Sequence, residues 1–544
     1  MSSDPAIAVI DVRRDRRSVI DPFIYGHFLE SAFFGNIDGG VFDEGSPLAY
    51  AGDGVRNGLR ADVIELCRQL GLPIVRWPGG NFTSPYHWED GIGPRAGRPR
   101  RLELAWGEEE TNRFGTDEFL AWCAEVGTEP YLAHSCRNVD EAVRWVEYTN
   151  YHGDTDYTRQ RARNGHPEPY GVTYWGLGNE VYGNWQMGHR SAVAYAADAA
   201  EHARFMRAVD PSLKFIAVGL IDDRQGWTRT VMEAVGNAVD YMSFHLYGAT
   251  TQLVDGAADY DAIVAQPLYF EQEIQAYSDL VGELAARNGR ERPLGLALDE
   301  WNIRHVEPSE WPAPLPSDDG GTVERDIDGL VAGRPRRVNR WSPRTLADAL
   351  FYAGVFHALH RASGLEVPVT MANTVNLLNA NGVVVARPGG AVRAATYHVW
   401  DLYQNHLGRV ALAAEVRSPG RLAGVRQGDE RDHRGDFRVR TATVPDLDVS
   451  ATQTEDGKSL RLAVINRHQS APIRAELALD GRVGVLPSRV AVRDLGADVD
   501  DVLASNSLSA PDRVGLRDRG VLEWSGTSYD FPPHSVTLLS FELS

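Results

Sequence analysis

The sequence is poor in cysteine and lacks a long apolar run. Its three cysteines, Cys67, Cys123 and Cys136, are odd in number and widely spaced. That pattern argues against a disulfide framework or a zinc site and favours buried thiols in a reducing compartment. No stretch reaches the roughly 18 apolar residues that span a membrane. The first residues contain no basic segment followed by an apolar run, so no export signal is predicted and we expect a cytoplasmic protein.

Basic residues are scarce relative to acidic ones. Lys and Arg number 55 against 75 Asp and Glu, which gives a formal net charge of -20. Because no basic run offsets this acidity, neither nucleic acid nor an anionic membrane is an expected partner. A neutral substrate fits such a surface better. At 544 residues the chain exceeds a single ordinary core, so a large catalytic domain and a smaller one are expected.

Between residues 21 and 408, short apolar runs alternate with longer segments of helical period. Strands are predicted at residues 23–30, 73–77, 130–136, 173–180, 214–219, 240–247, 294–301 and 367–375. Helices are predicted after them at residues 61–70, 116–126, 139–150, 191–209, 226–235, 269–287, 345–362 and 391–407. This strict alternation is typical of an α/β fold, and it predicts a (β/α)8 TIM barrel as the catalytic domain.

After residue 408 the pattern changes to short strand-like runs without a helical period. The runs at residues 410–416, 447–452, 459–464, 473–479 and 535–543 predict a jelly-roll-like antiparallel β-sandwich over residues 409–544. A further run at 7–12, within the N-terminal segment 1–20, is predicted to pair with this sandwich. Residues 308–340 are rich in Pro, Gly and Asp and are predicted to form a surface loop that leaves the seventh strand on the active-site side.

Two of the apolar runs deliver a glutamate at the C-terminal end. Tyr174-Trp175-Gly176-Leu177-Gly178-Asn179-Glu180 is the first, and Leu294-Gly295-Leu296-Ala297-Leu298-Asp299-Glu300 is the second. Glycoside hydrolysis needs one carboxylic acid to protonate the leaving oxygen and one carboxylate to attack or to activate water. The pair Glu180 and Glu300 therefore predicts a glycoside hydrolase.

Other polar residues collect at the same ends of the predicted strands. Catalytic groups of such barrels come from the strand C-termini and the loops after them. A single glutamate there is more often a capping or salt-bridge residue, but a whole set on one face predicts a site. The set consists of Glu30, Arg76, Asn81, Asn179, Glu180, His245, Tyr247, Glu300, Asn373 and Asn376.

Aromatic and histidine residues supply further candidates. Indole faces pack on the C–H faces of sugars, so some of Trp88, Trp106, Trp175, Trp185, Trp227 and Trp301 are candidate sugar platforms, although most of the 13 tryptophans are expected in the core. His27 and His245 lack a second ligand at close spacing. No metal and no cofactor are therefore predicted.

Several motifs in the right order resemble glycoside hydrolase family 51, whose best-known members are α-L-arabinofuranosidases. The resemblance spans the barrel and reaches Phe531-Pro532-Pro533-His534-Ser535-Val536-Thr537 in the C-terminal domain. The barrel motifs are Gly26-His27-Phe28-Leu29-Glu30, Arg76-Trp77-Pro78-Gly79-Gly80-Asn81-Phe82, Trp88-Glu89-Asp90-Gly91-Ile92-Gly93-Pro94, Phe114-Gly115-Thr116-Asp117-Glu118-Phe119, Gly176-Leu177-Gly178-Asn179-Glu180 and Asp299-Glu300-Trp301-Asn302.

The resemblance implies roles for the residues. Glu180 would be the acid/base and Glu300 the nucleophile of a retaining, exo-acting α-L-arabinofuranosidase. The substrate pocket would be formed by Glu30, Arg76, Asn81, Asn179, His245 and Tyr247. The family also suggests a homo-oligomer, often a hexamer.

The sequence departs from the family pattern near the pocket. Asn373 stands where glutamine is common, and Arg304 follows the second glutamate where an aromatic residue is expected. If Asn373 borders the furanose, the sugar preference differs. The open alternatives are a galactofuranoside, a D-arabinofuranoside or a β-xyloside cleaved by the same mechanism, or a non-catalytic carbohydrate-binding protein.

Overall fold

The computed structural model describes residues 7–543, except for 53, 108, 222, 255–256, 259, 307–343, 428–437 and 525–526. It contains a closed parallel barrel and a second domain rich in antiparallel sheet. The predicted fold class is therefore confirmed. The predicted surface loop at 308–340 lies outside the described residues.

Eight strands close the barrel, and we number them first to eighth in chain order. They are Gly26–Phe28, Ile74–Trp77, Glu129–His134, Tyr174–Leu177, Lys214–Ala217, Tyr241–Val254, Gly295–Val306 and Val369–Thr374. Neighbouring strands pair in parallel. The eighth pairs with the first through Asn373 and Gly26, which completes the circle. Inside it lies a buried layer formed by Ile74, Tyr131, Ile216, Ala297 and Met371.

Nine α-helices occur among the described residues. They are α1 Ala61–Leu70, α2 Thr116–Val126, α3 Val139–Asn150, α4 Asp156–Arg163, α5 Ala192–Val209, α6 Trp227–Val235, α7 Tyr260–Arg287, α8 Leu346–Ala362 and α9 Tyr397–His406. The first three have the predicted bounds. None of the helices in the described ranges is long and apolar enough to cross a bilayer.

Short elements fill the connections around the barrel. The strands among them are Arg101–Leu102, Glu109–Glu110, Ala257–Ala258, Val384–Arg387 and Gly390–Arg393. The 3-10 helices are Pro22–Tyr25, Asn81–Thr83, Trp88–Gly91, Arg95–Gly97, Asp223–Gln225 and Gly236–Ala238.

Some predicted bounds were wrong, and each error has a local cause. Helix α7 begins at Tyr260 rather than at 269, although Pro267 lies inside it. The proline ring packs against α8 at Gly354, where a Cβ would come within 2.5 Å of it, so tertiary packing outweighs the lost hydrogen bond. The predicted helix at 391–407 is shortened because a hairpin occupies its start. The first strand is shorter than predicted because residues Pro22–Tyr25 form a 3-10 turn.

The second domain is built on one continuous sheet. Its strands, with an attached hairpin, are Ala8–Val19, Val410–Arg417, Gly420–Gln427, Arg438–Pro445, Leu447–Gln453, Ser459–Asn466, Ile473–Leu479, Arg482–Val483, Arg489–Ala497, Val514–Glu523, Ser528–Phe531 and Ser535–Glu542. The N-terminal strand pairs antiparallel with Val410–Arg417 and parallel with Ile473–Leu479. Ile10, Val449, Val490 and Phe531 share one buried core, so the strand Ala8–Val19 packs as part of this domain.

Candidate active site

The two predicted catalytic glutamates meet at the C-terminal face of the barrel. Glu180 follows the fourth strand, and Glu300 lies on the seventh, in register with His245 of the sixth. Carboxylate oxygens of the two glutamates and a ring nitrogen of His245 all lie within 4.8 Å of one another. The parallel strands thus bring together residues that are 120 positions apart in the chain.

Glu300 is held by two donors, one on the second barrel strand and one on the sixth. Nη1 of Arg76 donates to Oε1 at 3.1 Å, and the Tyr247 hydroxyl donates to Oε2 at 2.7 Å. The side chain is only 9% exposed. Contacts of this kind fix the orientation of the carboxylate, as a nucleophile requires.

Arg76 organises the floor of the site. Its side chain is completely buried, and the flanking carboxylates of Asp299 and Glu300 keep its pKa raised despite burial. Besides Glu300 it donates to Oδ1 of Asn179 at 2.6 Å and lies 3.4 Å from the Asp299 carboxylate. The planar guanidinium therefore links the second, fourth and seventh strands.

Glu180 is contacted at both carboxylate oxygens. Nδ1 of His245 lies 2.7 Å from Oε1, and the Tyr182 hydroxyl donates to the same atom at 3.3 Å. The indole N–H of Trp185 donates to Oε2 at 3.1 Å. Burial alone would lower the pKa of His245, but Glu300 and Glu180 outweigh it and raise the pKa.

Glu30 lies beside a tight glycine turn. Its Oε1 accepts from the backbone N–H groups of Gly80 at 3.1 Å and Phe82 at 2.9 Å. Gly79 has a φ of 154°, and a Cβ there would meet the Glu30 side chain at 2.5 Å, so glycine is required at this position. Burial, with a smaller effect of Glu300, raises the pKa of Glu30 to about 8.

Asn179 presents a free donor to the site. Its Oδ1 accepts from Arg76, which directs the amide nitrogen away from the arginine. Among the described residues this Nδ2 has no hydrogen-bond partner, although Asn179 is 1% exposed. A buried amide donor without a partner is costly unless a ligand completes it. Asn81 begins the short helix after the glycine turn and is half-buried.

Asn373 lies against Asp299, the residue before Glu300. It is fully buried, and its amide donates to Oδ1 of Asp299 at 3.0 Å. The Tyr131 hydroxyl donates to Oδ2 of the same carboxylate, also at 3.0 Å. Asn373 therefore reaches the nucleophile through Asp299 and Arg76. Its direct contact with a sugar stays a prediction. Asn376 donates to the Ala380 carbonyl and shapes the loop after the eighth strand.

Glu180, His245 and Glu300 also form a group of potential metal ligands in the described part of the chain. The Arg76 guanidinium 3.1 Å from Glu300 opposes a cation here because like charges repel strongly at that range. The same atoms suit proton transfer between two carboxyl groups without a metal.

The aromatic candidates divide into core and site residues. Trp88, Trp175, Trp227 and Trp301 are at most 5% exposed and pack with other rings in the core. Trp106 and Trp185 are half-buried.

Asp299 and Tyr182 were not predicted as site residues. The sequence signal for Asp299 was its position directly before Glu300, and the signal for Tyr182 was its position two residues after Glu180.

Family models match two parts of the chain. One is described as the α-L-arabinofuranosidase 1 domain and matches residues 66–264. The other is described as the α-L-arabinofuranosidase C-terminal domain and matches residues 299–535.

Individual proteins match nearly the whole chain. A probable α-L-arabinofuranosidase C from Aspergillus clavatus is 33% identical over 99% of this chain and 97% of its own length. An exo-α-(1→6)-L-arabinofuranosidase from Bifidobacterium longum is 30% identical over 91% of this chain and 88% of its own. The solved structure of a thermostable GH51 α-L-arabinofuranosidase from Thermotoga petrophila is similar with a TM-score of 0.81 and 33% identity, over 98% of this chain and 100% of that one.

Proposed function

The chain belongs to the α-L-arabinofuranosidases of glycoside hydrolase family 51, and from this membership we propose how its residues carry out the reaction. The enzyme is exo-acting and releases terminal α-L-arabinofuranosyl residues by double displacement. Glu300 is the nucleophile and Glu180 is the acid/base.

The proposal rests on the short distance between the two carboxyl groups. One oxygen of each group lies within 4.8 Å of the other, and this close approach supports the separation of about 5–5.5 Å typical of retaining enzymes over the roughly 6.5–9.5 Å of inverting ones.

In the first step an oxygen of Glu300 forms a bond to the anomeric carbon as the glycosidic bond breaks. The bonding electrons pass to the leaving oxygen, and Glu180 supplies the proton that neutralises it. Tyr247 and Arg76 hold Glu300 in place. The free amide donor of Asn179 suits the sugar 2-hydroxyl, a contact that strengthens in the oxocarbenium-like transition state.

In the second step Glu180, now a carboxylate, takes a proton from water. The water oxygen bonds to the anomeric carbon, and the bond to Glu300 breaks. His245 lies between the carboxyl groups, 2.7 Å from Glu180 and 3.6 Å from Glu300. It can therefore stabilise negative charge on either one as the proton moves.

The substrate class we propose is terminal arabinofuranosyl groups of arabino-oligosaccharides or related glycosides. The alternatives remain a galactofuranoside, a D-arabinofuranoside or a β-xyloside. A panel of matched aryl glycosides distinguishes them, with the α-L-arabinofuranoside expected to give the highest kcat/KM. Proton NMR of the first-formed product should show retained anomeric configuration. An inverted product would overturn the mechanism.

Chelator and added divalent metals should leave the rate unchanged, because two carboxyl groups complete the reaction. A large loss with chelator that one metal restores would contradict this.

We also propose a cytoplasmic, homo-oligomeric enzyme. The three cysteines are free and buried, which suits a reducing compartment. The oligomeric proposal is supported by the family resemblance, and light scattering of the purified protein tests it.

A further inference from the structure

Trp185 occupies a position next to the acid/base that its role as a possible sugar platform does not explain. Its indole N–H donates to Oε2 of Glu180 at 3.1 Å. The other oxygen, Oε1, faces His245 and Tyr182. The two carboxylate oxygens thus have chemically different surroundings.

The loop after the fourth strand is shaped to bring this N–H to Glu180. The Gly183 N–H donates to the Glu180 carbonyl at 2.7 Å, and the Gln186 N–H donates to the Gly183 carbonyl at 3.1 Å. These two turns fold Trp185 back over Gly183. A Cβ at Gly183 would lie 2.3–2.6 Å from three carbons of the indole ring, so only glycine leaves space for the ring in this position.

Side-chain and backbone contacts secure the same loop. Nε2 of Gln186 donates to Oγ of Ser84 and, at 3.4 Å, to the Asn81 carbonyl. The Arg190 N–H donates to the Val181 carbonyl at 3.0 Å. The indole is therefore presented by a segment attached to the second-strand turn of the pocket, and its N–H has a defined direction.

Donors and acceptors differ in what they do to a carboxyl group. An indole N–H only donates a hydrogen bond, whereas a phenol oxygen or a neutral histidine nitrogen can also accept one from the acid form. A donor-only contact stabilises the carboxylate more than the neutral acid. Building on the proposed function, we propose that Trp185 is a positioning residue for Glu180: its N–H fixes Oε2 and favours the carboxylate form, and Gly183 makes room for the ring.

Two variants test the contact by different routes. Trp185→Phe removes the N–H and keeps an aromatic ring. Gly183→Ala keeps the N–H but places a methyl group where the ring lies. Trp227→Phe is the matched control, because Trp227 is a core residue that contacts the Tyr182 ring and donates to the Val218 carbonyl. Thermal unfolding shows whether each variant is folded.

The measurement is the pH dependence of the two steps of the reaction, formation of the bond to Glu300 and its hydrolysis. For a substrate with a poor leaving group, kcat/KM needs the acid form of Glu180. For an activated aryl substrate limited by the second step, kcat needs the carboxylate. The titratable groups beside Glu180 include His245, Tyr182 and Glu300, and Tyr247 contacts Glu300; all four are retained in the variants. Loss of the indole donor should raise the pKa of Glu180. The alkaline limb of kcat/KM on the poor-leaving-group substrate and the acidic limb of kcat on the activated aryl substrate should then both move to higher pH, by about half to one pH unit.

Trp185→Phe and Gly183→Ala should both show these shifts, while Trp227→Phe should lose stability with both limbs unmoved. If the limbs stay in place in both test variants, the proposal is overturned, whether or not activity falls. A uniform loss on all leaving groups with unmoved limbs would make Trp185 a sugar platform instead. A wild-type enzyme inactive on every aryl glycoside would refute the proposed function itself, which is a separate outcome.

Discussion

Two polar clusters of this molecule differ in the number of carboxyl groups that accompany each arginine. The active site combines one arginine, Arg76, with four carboxyl groups, namely Glu30, Glu180, Asp299 and Glu300. At the junction of α8 with the second domain, Asp448 faces Arg361 at 3.2 Å, Arg467 at 2.6 Å and His357 at 3.4 Å, and Glu271 also pairs with Arg361. We call these residues, with His360, the interdomain cluster.

The difference separates a site built for stability from one built for chemistry. Although burial opposes it, the two arginines hold the pKa of Asp448 well below its ordinary value. In the active site, burial and a neighbouring carboxylate raise the pKa of Glu30 instead. Where carboxyl groups outnumber the cations beside them, a carboxyl group can stay protonated near neutral pH. Acid catalysis needs such a protonated group, whereas a purely structural cluster does not.

The largest expected effect is on Glu300. Glu300→Ala should lower kcat/KM by at least about 10⁴-fold on every substrate, the scale of losing a catalytic nucleophile. Steady-state kinetics on poor and activated leaving groups measures it. Asp448→Asn is the matched control and should keep its kcat at moderate temperature. Equal loss of activity in both variants would erase the distinction between the clusters.

The loss of kcat/KM in Glu180→Ala should depend on the leaving group of the substrate. The loss should reach about 10²–10⁴-fold with poor sugar leaving groups, since general acid catalysis contributes that much. Activated aryl glycosides need little protonation, so their kcat/KM should fall far less. A loss independent of the leaving group would remove Glu180 as the acid.

Asp448→Ala should act on stability rather than on catalysis. Arg361 keeps Glu271 as a partner, but the buried Arg467 loses its carboxylate at 2.6 Å, and breaking a buried ion pair in this way typically costs about 3–5 kcal/mol. We expect the denaturant midpoint to fall strongly while kcat of the folded enzyme stays within about twofold. A lowered kcat with unchanged stability would show that the interdomain cluster affects the active site.

The two clusters should also respond to pH in opposite directions. The pKa of Glu30 is raised to about 8 from an ordinary value of 4.5, so its contribution to stability is present below pH 4.5 and is lost as the pH rises through 8. Burial lowers the pKa of His357 and His360, so their contribution is lost as the pH falls below 6.5. The carboxylate of Asp448 loses its contribution only below about pH 3.8.

Glu30→Gln isolates the active-site part of this response. Between pH 5 and 8 the wild type should lose up to a few kcal/mol relative to the variant, at about 1.4 kcal/mol per unit of pKa shift. Urea unfolding of both proteins at the two pH values measures the difference. Parallel pH curves would show that Glu30 is ionised at neutral pH.

Much of the barrel could be predicted because its signals are local. Helices α1 and α2 each end at a glycine in the left-handed region, Gly71 and Gly127, and their apolar residues recur with helical period. The polar helix α4, which was missed, lacks such a pattern. The start of α7 was misjudged because the fit of Pro267 against Gly354 is a tertiary contact.

The active site likewise has features that could be predicted from the sequence and features that could not. Parallel strands gather their C-terminal ends, so Glu180, His245 and Glu300 could be placed on one face from the sequence. Contacts that depend on a loop's path could not be predicted. The hydrogen bond from Trp185 to Glu180 depends on two turns through Gly183, and the direction of Asn373 depends on the register of the eighth strand against the first.

The smallest expected effect tests that last residue. Asn373 was predicted to border the furanose, where exchange for glutamine would change sugar preference by about 1–3 kcal/mol. In the structure its amide donates to Asp299, and its Oδ1 lies 2.4 Å from the site of a Cβ on Gly26, so the contact that is observed holds Asp299, while the contact with a sugar stays a prediction. We therefore expect Asn373→Ala to lower kcat/KM on arabinofuranosides and galactofuranosides by the same modest factor, about tenfold, since one buried hydrogen bond to a charged group is lost. Matched aryl glycosides of the two sugars measure the ratio. A changed ratio would place Asn373 in the sugar pocket and would mean that Asn373, with Asp299, takes part in substrate selection.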